Sequence, residues 1–255
     1  MKHGNTSTQH IDLACNCNGC LTESAGPGKS ADLSRRGFLC SAVGSAAAVL
    51  GGAAAVSATR PALAQSTLTP EAALKELMDG NERYLGGQLQ SLNEDLAILK
   101  AKTAEKQEPF AAVLACADSR VPVEFVFDQS IGHLFVVRVA GNITTPEITA
   151  SLEYGVAVLG TKVLMVLGHG SCGAVKATIE GKAVPGQIGA LYAPIWPAVN
   201  EAGPNLDAAI DANARIQATL LSQASPIIAG AIKEGNLKVV PARYDIASGK
   251  VSLLT

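Results

Sequence analysis

Five short runs of apolar residues, separated by polar and glycine-containing segments, divide residues 65–255 of this 255-residue chain. Runs of this length that are rich in Val, Leu and Ala and lack polar alternation are typical of strands buried on both faces of a parallel sheet. The predicted strands are 110–115, 134–139, 163–167, 237–240 and 251–254.

Segments with apolar residues at helical spacing lie between these runs. Thr69-Pro70-Glu71 and Thr145-Pro146-Glu147 each combine an N-cap side chain, a first-turn proline and an acidic residue at the positive end of the helix dipole. The predicted helices are 69–86, an amphipathic 92–104, 123–127, 145–158, 173–179, 207–221 and 227–233. The prolines and glycines of 185–204 predict loops and broken helix instead.

The alternation of strands and helices predicts an α/β fold, a mostly parallel β-sheet flanked by helices on both faces. The first two helices, within 65–108, predict an N-terminal helical arm rather than a separate domain. Residues 65–255 are therefore expected to form one domain.

Residues 1–64 have a different character. Arg35-Arg36 is followed by an Ala- and Gly-rich run over 41–56, and Pro-Ala-Leu-Ala then offers a cleavage site before Gln65. This pattern resembles a bacterial twin-arginine export signal. The run is too short and too rich in Ala and Gly for a membrane span of about 20 apolar residues. We therefore predict a cleaved signal peptide over 1–64, a periplasmic or otherwise exported protein, and no stable membrane association after cleavage.

Charge and cysteine content limit the functional classes. The formal charge of −2 and a pI near 6.1 leave no basic surface that would favour a nucleic-acid partner. Cys15, Cys17 and Cys20 are spaced like metal ligands but lie in the leader that is predicted to be removed, so their role stays open. Beyond residue 64 the chain has two cysteines, Cys116 and Cys172, and two histidines.

Those residues follow two of the predicted strands. Cys116 comes directly after 110–115, and His169-Gly-Ser-Cys172 comes after 163–167. Because ligands of open α/β sheets bind at the carboxyl ends of the strands, we expect the three side chains to converge. Thiolate and imidazole are ligands that zinc prefers, and catalytic sites commonly keep three protein ligands and one open position. We predict one Zn²⁺ per chain on Cys116, His169 and Cys172, and interpret His133 as a surface or packing histidine.

Asp118 and Arg120 lie next to this predicted zinc site. Asp118 could be a fourth ligand in a shut state, or it could pair with Arg120 and leave the fourth position to water. A water on zinc is acidified towards a pKa of about 7, and Asp118 would accept the hydrogen bond of the resulting hydroxide. Because two thiolates cancel the charge of the ion, we predict activity that rises towards alkaline pH. A small, neutral electrophile suits such a site.

The stretches Cys116-Ala-Asp118-Ser-Arg120, Phe127-Asp-Gln129 to Asn142 and His169-Gly-Ser-Cys172-Gly173 resemble β-class carbonic anhydrases. The resemblance covers about 72–254. It implies reversible hydration of carbon dioxide to bicarbonate and a proton, with zinc on the three predicted ligands and Asp118 with Arg120 as a catalytic dyad. It also implies a homodimer, or a higher oligomer built from dimers, with the active site near the subunit interface. One departure is Pro241, at the end of a predicted late strand, where proline is usually avoided.

Four alternatives remain open at this point. Relatives that hydrolyse carbonyl sulfide or carbon disulfide share this zinc set, and a non-catalytic zinc-binding protein would bind the ion without turnover. Gly168-x-Gly170-x-x-Gly173 formally matches a dinucleotide fingerprint, but no acidic residue ends a strand about 20 residues on. A single-thiol transferase using Cys116 would leave His169 and Cys172 without a role.

Overall fold

A computed structural model describes residues 66–93 and 96–255 of the protein. The predicted signal peptide, its cleavage site and the cysteines of the leader lie outside these residues. In the part of the chain that is described, no helix is both long enough and apolar enough to cross a membrane.

The sheet has five strands in the order β2-β1-β3-β4-β5. The strands are β1 (Ala111–Ala115), β2 (Leu134–Arg138), β3 (Val163–His169), β4 (Lys238–Tyr244) and β5 (Val251–Leu253). The first four are parallel, and β5 alone is antiparallel, paired with β4. The predicted α/β class with a mostly parallel sheet is therefore confirmed.

Eight α-helices lie among the described residues: α1 (Pro70–Leu85), α2 (Leu96–Thr103), α3 (Val123–Val126), α4 (Pro146–Ala157), α5 (Gly173–Glu180), α6 (Tyr192–Ala202), α7 (Leu206–Ala224) and α8 (Pro226–Lys233). Thr69 and Thr145 cap α1 and α4 as their sequences predict, each accepting a hydrogen bond from a first-turn N–H.

Alternate residues of the central strands enter two separate cores, because side chains alternate across a sheet. On one face Val113, Met165 and Leu167 pack with Leu77 of α1 and residues of α3. On the other face Leu114, Leu164 and Val166 pack with residues of α4, α7 and α8. Helices thus cover both faces, and the central strands β1 and β3 are completely buried.

The structure corrects the prediction for 185–204 in part. Residues 185–191 form turns and a short 3₁₀ helix, as expected, but Tyr192–Ala202 forms a continuous helix, α6, with Pro197 inside it. A proline in a helix interior removes one hydrogen bond and is normally unfavourable. Burial of Ile195, Ala198 and Val199 on one face of α6 offsets this cost, so tertiary packing overrides the local signal.

The second predicted helix is also shorter than expected. A 3₁₀ turn at Ser91–Asn93 precedes α2, which begins at Leu96 and has no buried residue. Leu96 is 53% exposed, so the apolar side chains of α2 do not enter either core of this chain.

Pro241 lies inside β4, not at the end of a strand. Its carbonyl accepts from Leu254 N at 2.9 Å, which places the proline nitrogen on the β5 side of the strand. The last pairing with β5 joins Ala242 to Leu253, so no ladder hydrogen bond is required from residue 241. The proline therefore fits without breaking the sheet.

Candidate metal centre

The ends of two adjacent parallel strands bring the three predicted ligands together. Cys116 follows β1 directly, His169 is the last residue of β3, and Cys172 is the N-cap of α5. Ala115 pairs with Leu167, so both strands finish at the same edge of the sheet. All three side chains are buried, and the two thiols are not joined in a disulfide.

The turn between β3 and α5 has a left-handed residue, Ser171, with φ of 56°. Positive φ is uncommon for a residue other than glycine, so Ser171 marks a tight turn between His169 and Cys172, whose side chains approach the same point. Gly170 N donates to Tyr244 O at 2.9 Å and holds the turn against β4.

The geometry of the three ligand atoms fits a single metal ion. The sulfur atoms of Cys116 and Cys172 and a ring nitrogen of His169 lie within 4.8 Å of one another. Ligand atoms around one tetrahedral zinc, with bonds of about 2.0–2.3 Å, are separated by roughly 3.5–4 Å. Small side-chain adjustments would therefore bring the three onto one ion. No other group of three His, Cys, Asp or Glu side chains in residues 66–93 and 96–255 meets this criterion.

His169 supplies a second sign of fit. Its Nδ1 lies 3.0 Å from Gly170 O, which assigns the ring proton to Nδ1 and the lone pair to Nε2. Nε2 is completely buried and has no hydrogen-bond partner among the described residues. A buried nitrogen without a partner is costly, and a metal ion would satisfy it.

The two thiols influence each other's ionisation. The neighbouring Cys172 lowers the pKa of Cys116, and His169 and the Gly141 N–H lower it further against the effect of burial. The contact with Cys116, together with burial, raises the pKa of Cys172. Because cysteine binds metal ions as the thiolate, a divalent cation would displace any proton that the pair holds.

Asp118 pairs with Arg120 at the mouth of this cluster. Its Oδ1 accepts from Arg120 N and Nε, both at 2.9 Å, and its Oδ2 accepts from Nη2 at 2.8 Å. The Arg120 guanidinium holds the pKa of the Asp118 carboxyl well below its usual range. Asp118 Oδ2 is 3.9 Å from His169 Nε2, and the Arg120 side chain is 50% exposed. Of the two arrangements predicted for Asp118, this is the one in which the carboxylate pairs with the arginine.

Arg138 fixes the loop that carries these groups, although no motif in the sequence predicted a role for it. Nε donates to Cys116 O at 2.9 Å, and Nη2 donates to Asp118 O at 2.6 Å. The signal was a charged residue at the carboxyl end of an apolar strand, level with Ala115 on the neighbouring β1. Its partners could not be identified before the strand order was known.

His133 lies apart from the cluster. Its Nδ1 is 3.3 Å from Gln129 Oε1, and its ring packs against Phe110 with centroids 6.4 Å apart. The interpretation of His133 as a packing or surface histidine agrees with these contacts.

Comparisons with known proteins converge on one family. A family model described as carbonic anhydrase matches residues 111–251. The chain is 36% identical over 193 residues to a carbonic anhydrase of Mycolicibacterium smegmatis, which covers 72% of this chain and 93% of the relative. It is 33% identical over 192 residues to carbonic anhydrase 2 of Mycobacterium tuberculosis, with 72% and 92% covered.

Solved structures agree with the sequence comparisons. A tetrameric β-carbonic anhydrase of Sordaria macrospora superposes with a TM-score of 0.58 at 25% identity, covering 71% of this chain and 96% of the other. A Coccomyxa β-carbonic anhydrase in complex with acetazolamide superposes with a TM-score of 0.56 at 27% identity, covering 71% and 86%.

Proposed function

Because this chain belongs to the β-class carbonic anhydrases, we propose that it hydrates carbon dioxide reversibly to bicarbonate and a proton with one zinc ion held by Cys116, His169 and Cys172. The observation that carries the proposal is the convergence of two buried sulfurs and one buried, unpartnered imidazole nitrogen within 4.8 Å. This donor set is one that zinc favours in catalytic sites.

Zinc, when bound, supplies a Lewis acid that makes water nucleophilic near neutral pH. The protein's own contribution begins with ligand orientation. The Gly170 carbonyl fixes the His169 tautomer, and the Gly141 N–H donates to Cys116 Sγ at 3.3 Å. Arg138 holds the carbonyls on either side of the Cys116–Asp118 segment, which keeps the thiolate and the carboxylate in a constant relation.

Asp118 has the position and the charge to orient the attacking water. Because Arg120 lowers its pKa, the carboxylate stays ionised and can only accept hydrogen bonds. Accepting one from the water aims an oxygen lone pair towards a carbon dioxide molecule bound beside it, and a fixed geometry of this kind lowers the entropic part of the barrier. Arg120 holds the carboxylate by two side-chain hydrogen bonds and one from its backbone.

The test compares the two histidines of residues 66–255. His169→Asn should remove the bound zinc and with it carbon dioxide hydration, whereas His133→Asn, the matched control, should keep both. The measurements are zinc content of the purified protein by elemental analysis and hydration rate by stopped flow. About one zinc per chain with turnover in the wild type is the expected result.

Other outcomes would identify the failing part of the proposal. Zinc without turnover would point to a binding role or, if carbonyl sulfide or carbon disulfide is hydrolysed, to another small substrate. Equal zinc content in the His169→Asn and wild-type proteins would contradict the ligand assignment.

We also infer a homo-oligomer built from dimers. The Sordaria macrospora relative is described as tetrameric. In the described part of this chain the outer edge of β2 has no strand partner, and Tyr154, which packs on Phe135 of β2, is 46% exposed. An apolar, unpaired sheet edge is a surface that proteins normally cover. Sedimentation analysis at several concentrations tests this inference, and a monomer throughout would contradict it.

Export is proposed on the sequence alone, from Arg35-Arg36, the apolar run over 41–56 and the cleavage pattern before Gln65. Replacing both arginines by lysine in the full chain should retain the protein in the cytoplasm of an expressing bacterium. The unmodified chain should yield a periplasmic protein whose mass is that of a chain beginning at Gln65. A cytoplasmic, uncleaved product from the unmodified chain would contradict the proposal.

A further inference from the structure

Two buried amides interrupt the apolar face of α7. Asn213 and Gln217 are one helical turn apart and are 1% and 0% exposed. The other buried residues of this helix, apart from these two, are apolar: Ala209, Ile210, Ala212, Ala214, Ala218 and Leu221. A buried amide is costly unless its hydrogen bonds are made, so the partners of this pair reveal what the cost supports.

Every polar atom of the Gln217 side chain is used. Oε1 accepts from Thr144 N at 2.9 Å and from Thr144 Oγ1 at 2.7 Å. Nε2 donates to Pro194 O at 3.0 Å and to Asn213 Oδ1 at 3.3 Å. Because two donors fix Oε1, the orientation of the Gln217 amide is determined, and it in turn holds the oxygen of Asn213.

The side-chain nitrogen of Asn213 is therefore directed towards the segment that contains Gly141. Nδ2 donates to Gly141 O at 2.8 Å, across 72 positions of sequence. In the low dielectric of this buried region such a bond is stronger than it would be at the surface.

Gly141 is the residue whose N–H donates to Cys116 Sγ, at 3.3 Å. Its φ of 77° is left-handed, and a Cβ at this position would lie 2.7 Å from Ile195 Cδ1, so any other residue would be strained here. A glycine has no side chain to anchor its peptide groups. The Gly141 carbonyl belongs to the peptide group after its Cα, and the Gly141 N–H belongs to the one before it. The bond from Asn213 anchors the first of these groups and so restricts the backbone rotation that would turn the N–H away from the sulfur.

We propose that Asn213, oriented by Gln217, is a positioning residue for the Cys116 thiolate and acts through the backbone of Gly141, whose two flanking peptide groups contact Asn213 and Cys116 respectively. The inference rests on the proposed role of Cys116 as a zinc ligand. An N–H···S bond of fixed direction stabilises the thiolate and orients its lone pairs, so its loss weakens metal binding in the folded protein. Groups that orient ligands in this way typically change metal affinity by about 10- to 100-fold.

The experiment replaces Asn213 by leucine, which has a similar volume and no donor. Metal-free protein is titrated with Zn²⁺ against a chromophoric chelator, and the thiolate-to-metal charge-transfer band of the Co²⁺-substituted protein is recorded. Leu221→Ala is the matched control, since Leu221 lies on the same helix in the apolar cluster under the sheet. Both variants should unfold at a lower temperature than the wild type.

Only the Asn213→Leu variant should lose zinc affinity, by about 10- to 100-fold, with a shifted charge-transfer band. All proteins are full-length, and the zinc that remains on His169→Asn defines the background from the leader cysteines. Affinity within about twofold of the Leu221→Ala control, with an unchanged band, would overturn the inference and leave Asn213 a packing role.

Two further outcomes separate a failure of the zinc site from a failure of the Asn213→Leu variant to fold. If the wild type itself binds no more zinc than His169→Asn, the proposed zinc site fails, and the positioning inference fails with it. If Asn213→Leu does not fold, Gln217→Leu removes the group that orients Asn213 and should still lower zinc affinity, by up to about tenfold, the lower end of the range for ligand-orienting groups. Unchanged affinity in that variant would count against the inference.

Discussion

Two aspartate–arginine pairs in this protein use the same chemistry for different ends. Asp118–Arg120 lies beside the thiol–imidazole cluster, with the arginine side chain 50% exposed. Asp128–Arg83 joins the turn after α3 to α1, and the Asp128 side chain is completely buried. The difference lies in what else each carboxylate contacts.

The Asp128 carboxylate has no capacity left to accept a further hydrogen bond. Besides Arg83 it accepts hydrogen bonds from Gln90 N, Ser91 N and Ser91 Oγ, so both of its oxygens are fully engaged. The hydrogen bonds to the Asp118 carboxylate all come from a single residue, Arg120, and Oδ2 faces His169 Nε2 at 3.9 Å. A carboxylate that retains room for one more donor can serve a reaction, whereas a saturated one stabilises the fold.

The largest effect should come from Asp128→Asn, which leaves Arg83 without its buried counter-charge. Removing one partner of a buried pair typically costs about 3–5 kcal/mol, and we expect a loss near 3 kcal/mol because Arg83 is 21% exposed. Chemical denaturation measures this loss. Zinc content and turnover of the folded variant should remain those of the wild type, and a large drop in turnover of folded protein would contradict the structural role.

Asp118→Asn should lower turnover rather than stability, the opposite of Asp128→Asn. The asparagine amide is neutral and accepts hydrogen bonds more weakly than a carboxylate. Turnover should therefore fall by about 100-fold or more, equivalent to about 2.7 kcal/mol. Zinc content should stay at the wild-type value because Asp118 is paired with Arg120 rather than grouped with the three ligands. Stopped-flow hydration and elemental analysis test both parts. Loss of zinc in this variant would show that Asp118 is a ligand.

Lowering the pH should reduce the difference in the free energy of unfolding between the wild type and Asp128→Asn. Burial alone would raise the pKa of Asp128, but hydrogen bonds from Arg83, Ser91 and Gln90 outweigh it and lower the pKa to about 2. A carboxyl with a lowered folded-state pKa contributes stability above its unfolded value, near 3.9, and loses it as pH falls. We expect the ionised Asp128 to contribute about 2–3 kcal/mol to the free energy of unfolding, of which about 1 kcal/mol is lost by pH 3.

Other carboxylates titrate in both proteins and cancel in this difference. Denaturation curves at pH 6, 4 and 3 provide the measurement. A constant difference across that range would show that the ionised Asp128 does not stabilise the folded state.

The smallest effect is expected for Arg120→Lys. A lysine keeps the positive charge but cannot make two parallel hydrogen bonds to Asp118. Turnover should fall by about tenfold, the equivalent of one charge-assisted hydrogen bond of about 1.5 kcal/mol, with stability and zinc content unchanged. A variant as active as the wild type would indicate that charge alone holds Asp118.

Local patterns predicted most of the elements in this fold. The apolar runs before Cys116 and His169 became the two buried central strands, and the Thr-Pro-Glu starts became helix caps. These signals depend on residues that are close together in the sequence, so they can be recognised before the fold is known. The prediction failed for α6, where burial of Ile195 and Val199 outweighed the local preference of Pro197.

The amino-acid sequence alone indicated the types of the candidate metal ligands, their order and the two strand ends on which they lie. It also indicated the Asp118–Arg120 pair, because the two residues are close neighbours in the chain. Their supports could be identified from the folded chain alone: Arg138 donates to the Cys116 and Asp118 carbonyls, and Asn213 donates to Gly141 O. The same is true of the structural pair of Arg83 with Asp128. Each of these contacts joins residues at least 20 positions apart. Such contacts form only when strands and helices pack in a particular order, and that order depends on burial summed over the whole domain rather than on any local pattern.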